Sequence, residues 1–142
     1  MSTATSIDWP ALLSHPDTQA LLRLALGEDI GSGDVTTQAI FPTPERARAH
    51  IIARSETVVC GLPLASRLFA ALDPELVLTP MALEGARVDK GHVLCELDGD
   101  LRAILTAERP ALNFLMRLSG VAHATARAVA AIPKDTHAKI YD

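Results

Sequence analysis

Arg109 is the side chain whose position is hardest to explain by packing. It follows Thr106 and Glu108 at the predicted start of a long helix, where Thr106 can cap the helix and Glu108 suits its positive end. Pro110 lies in the same predicted first turn, where its missing N–H costs least. A cation there is mildly unfavourable against the helix dipole, but it can bind an anion together with the free backbone N–H groups. Spacing alone favours a solvated arginine paired with Glu108 or Asp100, and it leaves open an arginine that binds a carboxylate or phosphate.

A stretch rich in glycine and acidic residues, from Glu28 to Thr37, could also bind a ligand. Its spacing does not match an EF-hand, which needs alternating ligands and a distant glutamate. The glycines at 31 and 33 are weak evidence for phosphate binding, because no strand–helix–strand unit surrounds them. We therefore interpret the stretch as a structured turn with local side-chain caps.

The histidines and cysteines show no spacing typical of a metal centre or a nucleophile. Cys60 and Cys95 are far apart and flanked by apolar residues, which favours buried free thiols in a reducing compartment over a disulfide. His123 is interpreted as a surface or packed histidine. The sequence therefore predicts no catalytic residue and no metal ligand.

The stretch from Gly85 to Leu97 matches the spacing G-x-x-V-x-x-G-x-x-L, which resembles half of a biotinyl or lipoyl carrier domain. Such domains display a modified lysine at a hairpin tip. The next predicted turn, Asp98 to Asp100, contains no lysine, so a carrier-like binding module lacks its reactive residue. The pattern still predicts tightly turned antiparallel strands.

Composition limits the class of protein. Hydrophobic residues make up 49% of the 142 residues and aromatic residues only 4%, so the core must consist of leucine, alanine, valine and isoleucine. The net charge of −4 makes nucleic acid an unsuitable partner. There is no signal peptide pattern and no long apolar run, which predicts a cytoplasmic protein without a membrane span.

The hydrophobic periodicity predicts alternating short helices and strands. The predicted helices cover about Asp8 to Leu13, Asp17 to Gly27, Pro63 to Leu72, Thr106 to Leu118 and Val121 to Ile132. The predicted strands cover Ala47 to Glu56, Thr57 to Gly61, Leu76 to Leu83, Leu101 to Leu105 and the start of a strand from His137 to Asp142. The pair Ser119-Gly120 is predicted to interrupt the last helix. The helix after Asp17 is apolar nearly all round and is predicted to be well buried.

Two blocks of sequence carry a family resemblance. The first is GEDIGSGDVTT at positions 27–37, and the second is LTAER at 105–109, followed by ALNFL at 111–115 and LSGVA at 118–122. In this order and at this distance they resemble quinolinate phosphoribosyltransferase, also called carboxylating nicotinate-nucleotide pyrophosphorylase. The resemblance extends from about residue 18 to residue 142.

The resemblance implies an α+β fold with helices packed on a mostly antiparallel sheet of about four strands, the hammerhead-like amino-terminal domain of the family. Residues 1–118 are then the amino-terminal domain, and 119–142 are the linker helix and first strand of a truncated α/β barrel. The family transfers a phosphoribosyl group from phosphoribosyl pyrophosphate to quinolinate, which yields nicotinate mononucleotide, pyrophosphate and CO₂ in NAD biosynthesis. Its Mg²⁺ ligands belong to the barrel, so the fragment alone is expected to bind no cofactor and to be inactive.

Arg109 matches the family's amino-terminal arginine, which reaches quinolinate in the active site of the partner subunit. The resemblance therefore implies substrate binding by Arg109 and a homodimer or higher homo-oligomer. Asn113 also matches a family position, but we expect it to cap or bridge within the helix packing. Two alternatives remain open besides the carrier-like module: a molybdenum-transport-linked relative of the same fold, and a structural dimerisation domain.

Overall fold

The computed structural model describes residues 7–31, 35–133, 136 and 140. The helices in this part of the chain are α1 (Trp9–Ser14), α2 (Pro16–Ile30), α3 (Val35–Ile40), α4 (Leu62–Leu72) and α5 (Leu101–Ala130). The strands are β1 (Arg46–Ile52), β2 (Thr57–Val58), β3 (Val77–Pro80), β4 (Arg87–Val88) and β5 (Val93–Asp100). The strand predicted from His137 to Asp142 lies, apart from Ile140, outside the described residues.

β5 is the central strand of a three-stranded antiparallel sheet with the order β1-β5-β3. In β1, the exposed Arg46, Arg48 and His50 alternate with the partly buried Ala47 and Ala49. This alternation confirms the predicted half-buried strand, because successive side chains point to opposite faces of a sheet. β3 is an edge strand that ends at a proline, as predicted for Pro80.

The core lies between the inner face of this sheet and the helices α4 and α5, which confirms the α+β class. Leu68 and Phe69 of α4 are almost completely buried in one core cluster with Cys95 of β5 and Ala107 of α5. Burial of a leucine or phenylalanine side chain contributes about 1.5–3 kcal/mol each. The alanines of α5 let the helix approach its neighbours closely, so the face of α5 that carries them is fixed by packing.

α5 begins earlier than the sequence predicts. The stretch Leu101 to Leu105 is the first turn of the helix and not a strand, and Thr106 is not the N-cap. The cap is Asp100, whose carboxylate accepts the N–H of Arg102 at 2.8 Å. The prediction was wrong because apolar residues at positions 101, 104 and 105 suit one face of a helix as well as a strand.

α5 also continues without a break to Ala130. Pro110, predicted for the first turn, lies inside the helix and is fully buried. Ser119 does not interrupt the helix either, because its hydroxyl forms hydrogen bonds with the backbone of Cys60 and not with the helix. The hydroxyl accepts the N–H of Cys60 at 3.1 Å and donates to the carbonyl oxygen of Cys60 at 3.2 Å. The predicted pair of helices is therefore a single one.

The other predicted helices have mixed outcomes. α1 and α4 lie where expected, with Asp8 as the cap of α1. The cap of α2 is His15 and not Asp17, since the His15 ring accepts the N–H of Asp17 at 3.3 Å. The expectation that α2 is buried nearly all round was wrong. Leu22 is its buried residue, whereas Leu24 is 70% exposed, because α2 packs on the core along one side only.

The carrier-like stretch does not form a hairpin of its own. β4 pairs with β2, whereas β5 pairs with β1 and β3, so the two strands belong to different sheets. The predicted turn from Asp98 to Asp100 is instead the end of β5. Glu84, just before this stretch, caps α4. Its carboxylate accepts the N–H groups of Gly61 at 2.9 Å and Leu62 at 2.8 Å.

Replacing Gly99 by alanine tests the close packing beside β5. A Cβ at this position would lie 2.7 Å from Cγ of Leu76 and 3.0 Å from its Cα. We expect Gly99→Ala to lower the free energy of unfolding by about 1–3 kcal/mol in urea titrations, because a buried neighbour must move. In the control Gly120→Ala the new Cβ meets nothing within 4 Å. The control should be stabilised by up to about 1 kcal/mol, since alanine is the better helix former. Equal effects of both changes would contradict this packing.

The stability of the three-stranded sheet should depend on pH through the ionisation of Asp98. Asp98 accepts hydrogen bonds from Arg46 at 2.7 Å and Arg48 at 3.2 Å, and these hold its pKa below the ordinary value of 3.8. A lowered pKa means stabilisation that is complete above pH 3.8 and lost as the pH falls through the folded-state value. Asp98→Asn should therefore be less stable than the wild type near neutral pH, with the difference shrinking in acid. Thermal unfolding of both proteins at a series of pH values measures this difference in stability, and Asp89→Asn is the control. A difference between Asp98→Asn and the wild type that does not change with pH would contradict the prediction.

Candidate functional site

Arg109 lies on the outer face of α5, and 79% of its side chain is exposed. Since α5 begins at Leu101, Arg109 is in the third turn and not in the first. The free N–H groups of the helix start are therefore not beside it, and that part of the sequence interpretation was wrong. What remains is a guanidinium that projects from a rigid helix whose opposite face is buried.

The partner of Arg109 also differs from the two candidates named from spacing. Nη1 of Arg109 lies 3.6 Å from Oδ1 of Asp29, whose side chain is 22% exposed. Asp100 is occupied by Arg102 through a pair of 3.0 Å between Oδ2 and Nη2. For Glu108 no ion pair is found within the described part of the chain. Sequence reasoning missed Asp29, although it lies in the acidic stretch that had been singled out.

That acidic stretch is more helical than predicted. Glu28 and Asp29 belong to the last turn of α2, and the turn proper begins at Gly31, whose φ of 51° ends the helix. Residues 32–34 lie outside the described part, and Thr37 is a buried residue of α3. The two blocks of sequence singled out above therefore meet in space through Asp29 and Arg109.

A shallow groove of about 330 Å³ runs along α5 beside Arg109. Its lining residues recur at helical spacing: Leu105, Glu108, Arg109, Leu112, Asn113 and Met116. Asn113 is exposed here, so the expectation that it caps or bridges within the packing was wrong. The lining offers a cation and an amide beside apolar side chains and the carboxylate of Glu108, so an anion would be bound there through Arg109. The described residues of the groove include no cysteine, serine or histidine.

A larger cleft of about 550 Å³ lies near the start of α5, and several of its charged side chains, namely Arg46, Asp73, Asp100 and Arg102, are already hydrogen-bonded within the protein. Asp73 accepts the N–H groups of Glu75 at 2.9 Å and Asp100 at 3.1 Å. Hydrogen bonding to Arg102 lowers the pKa of Asp100 from its ordinary value. These bonds hold the loop after α4 to the junction of β5 and α5, so we assign the cleft a structural role.

The thiols and His123 offer no nucleophile. Both cysteines are free, and burial raises the pKa of Cys95 to about 11. Burial and the nearby carboxylate of Glu84 also raise the pKa of Cys60. A raised pKa keeps a thiol protonated and unreactive near neutral pH. His123 is half-buried in α5, and its buried Nδ1 atom has no partner in the described structure.

Two further absences concern the described residues. No three histidine, cysteine, aspartate or glutamate side chains in this part of the chain come close enough together to hold a metal ion. No helix in it is both long and apolar enough to cross a membrane.

Comparison with known proteins gives consistent results. Residues 34–119 match the family model described as the quinolinate phosphoribosyl transferase, N-terminal domain. Decarboxylating quinolinate phosphoribosyltransferase 1 of Nicotiana glauca is 40% identical over 115 residues, which cover 79% of this chain and 33% of the relative. The carboxylating, chloroplastic nicotinate-nucleotide pyrophosphorylase of Arabidopsis thaliana is 39% identical with the same coverage.

Solved structures agree with the fold. NadC of Streptococcus pyogenes superposes with a TM-score of 0.79 at 36% identity, covering 84% of this chain and 43% of that one. The nicotinate-nucleotide pyrophosphorylase of Francisella tularensis gives a TM-score of 0.75 at 35% identity, covering 80% and 40%. The chain spans only about a third of the length of the curated relatives it matches. By its matched residues and its fold, the chain belongs to the quinolinate phosphoribosyl transferase family and corresponds to the N-terminal domain of that family.

Proposed function

We propose that this chain is the amino-terminal part of an enzyme that converts quinolinate and phosphoribosyl pyrophosphate to nicotinate mononucleotide, pyrophosphate and CO₂ in NAD biosynthesis. The observation that carries the proposal is the exposed Arg109 on the rigid outer face of α5, in a chain of this family. The names of the relatives support the same reaction.

In this proposal Arg109 binds one carboxylate of quinolinate. Its Nη1 lies 3.6 Å from Asp29, which is longer than a hydrogen bond, so the guanidinium N–H groups are available to a second carboxylate. A guanidinium binds a carboxylate through two parallel hydrogen bonds, which fixes the orientation of the ring as well as its position. Fixing the ring against the second substrate lowers the entropic part of the barrier.

The rest of the chemistry is proposed for the part of the relatives that this chain does not span. The described residues offer no set of metal ligands, so they do not fit a Mg²⁺ site. We propose that residues 1–118 form the amino-terminal domain and that residues 119–142 link it to a barrel. That boundary lies within α5, which would make the helix a continuous connection between the two parts.

We also propose that the protein is a cytoplasmic homodimer or higher homo-oligomer in which Arg109 enters the active site of a second subunit. Support for association comes from exposed apolar side chains on α2 and α5. Leu21 and Leu24 are 53% and 70% exposed, and Met116, which lines the same groove as Arg109, is 64% exposed. Clusters of this kind are typical of surfaces that another chain covers. The two free thiols favour a reducing compartment.

The alternative functions considered from the sequence have less support. The names of the relatives favour the quinolinate enzyme over a molybdenum-transport-linked relative. A carrier-like module would need a hairpin tip after Leu97, where the chain instead continues as β5.

Kinetics of Arg109→Ala in the full-length enzyme test the proposal. Formation of nicotinate mononucleotide should fall about ten- to a hundredfold in kcat/KM, the effect of losing a charge-assisted pair of about 1.5–3 kcal/mol. Arg109→Lys should not restore it, because lysine cannot make the paired hydrogen bonds. The melting temperature should not change, since the side chain is exposed. Arg67→Ala, at another exposed arginine on a helix, is the control. Unchanged kinetics in Arg109→Ala would make this residue an ordinary surface arginine.

Mixing two inactive variants tests whether the arginine is shared between subunits. Arg109→Ala is combined with a variant that keeps Arg109 but lacks a catalytic residue of the barrel. If each active site takes its arginine from the other chain, mixed oligomers should contain some complete sites and recover part of the activity. Activity should rise with time as subunits exchange, and each variant alone is the control. No recovery in oligomers shown to be mixed would rule out sharing across the interface.

A further inference from the structure

The carboxylate of Asp29 does not stabilise α2, the helix that carries it. Asp29 is the residue before Ile30 in the last turn of the helix, and Gly31 ends the helix with a positive φ. A negative charge in the last turn is unfavourable, because the free carbonyl groups already make that end negative. The Asp29 side chain is nevertheless only 22% exposed and directed to Arg109 of α5.

The pair of Asp29 and Arg109 differs from the other arginine–aspartate pairs of the described structure. Arg46 with Asp98, Arg48 with Asp98 and Arg102 with Asp100 are in hydrogen-bond contact, at 2.7, 3.2 and 3.0 Å. The atoms of Asp29 and Arg109 are 3.6 Å apart, and no hydrogen bond joins them. Asp29 therefore attracts the guanidinium without using its N–H donors.

This geometry suits an arginine that must be held in place and still bind a ligand. A free arginine side chain has many rotamers, and ordering it when a ligand binds costs affinity. An attraction from one side that leaves the donors free reduces this cost. The groove of about 330 Å³ along α5 is lined by Arg109 together with Leu112 and Met116. Asp29 thus restrains a guanidinium that lines this groove.

We propose that Asp29 is a positioning residue, which holds Arg109 ready for a carboxylate of the substrate. The inference rests on the proposed function and adds a role for the acidic block of sequence, which the reaction itself had left unexplained. A purely structural pair between α2 and α5 would instead affect stability and leave substrate binding unchanged.

The test is the kinetics of Asp29→Asn in the full-length enzyme. KM for quinolinate should rise about threefold, because the loss of an exposed ion pair changes a binding constant only a few fold. The maximal rate and KM for phosphoribosyl pyrophosphate should not change. In the Arg109→Ala background, Asp29→Asn should have no further effect, because Asp29 acts through Arg109. Asp29→Glu keeps the charge and should give an intermediate KM. Glu28→Gln removes the neighbouring charge, for which no ion pair with Arg109 is found in the described structure, and is the matched control.

The possible outcomes distinguish the positioning role of Asp29 from the proposed function of the enzyme. An unchanged or lowered KM in Asp29→Asn, in an enzyme that forms nicotinate mononucleotide, would overturn the positioning role alone. An equal change of KM in the wild-type and Arg109→Ala backgrounds would overturn it too, since Asp29 would then act independently of the arginine. Failure of the wild-type protein to form the product would overturn the proposed function, and the positioning role with it. If Asp29→Asn does not fold, the comparison of Asp29→Glu with the wild type decides the question.

Discussion

Asp100 is the last residue of the central strand and also the cap of α5, and its carboxylate accepts the N–H of Arg102 at 2.8 Å. The chain passes from strand to helix at this one residue. The junction is held from both sides, because Asp73 accepts the N–H of Asp100 and Arg102 pairs with the Asp100 carboxylate. With no loop between the two elements, the register of β5 sets the rotation of α5 about its axis.

That rotation decides which side chains of α5 enter the core. Ala107, Ala111 and Leu115, spaced by four residues, are buried, whereas Arg109 and Met116 are exposed. Ser119 adds a second fixed point further along, through its two hydrogen bonds with the backbone of Cys60. A helix fixed at both points presents Arg109 in one defined direction, which a binding residue requires. The small side chains of the buried alanines leave room for α5 to pack against the sheet and α4.

The proposed site combines parts of the chain that are far apart in sequence. Asp29 comes from the end of α2 and Arg109 from the third turn of α5. Each belongs to one of the two blocks that carry the family resemblance. Their contact offers a physical reason for both blocks, since an acidic residue at a helix end and an exposed cation each lack a purely local explanation.

The sequence by itself determined the elements whose signals are local. The alternation from Arg46 to Ile52 predicts a half-buried strand, and the apolar spacing with a proline at its start predicts α4. Arg109 could also be singled out from sequence, because its block resembles a family motif, although the helix start assumed beside it was wrong. These features depend on residues a few positions apart, so no knowledge of the fold is required.

Only the tertiary structure decided the extent of α5 and the partner of Arg109. An apolar run such as Leu101 to Leu105 is compatible with strand and helix, and the cap at Asp100 and packing against the core select the helix. Ser119 lies in the helix interior because Cys60, 59 residues away in sequence, supplies its hydrogen-bond partners. The ion pair of Asp29 and Arg109 likewise depends on how α2 packs against α5. Contacts between residues so distant in sequence are set by packing, which local spacing does not encode.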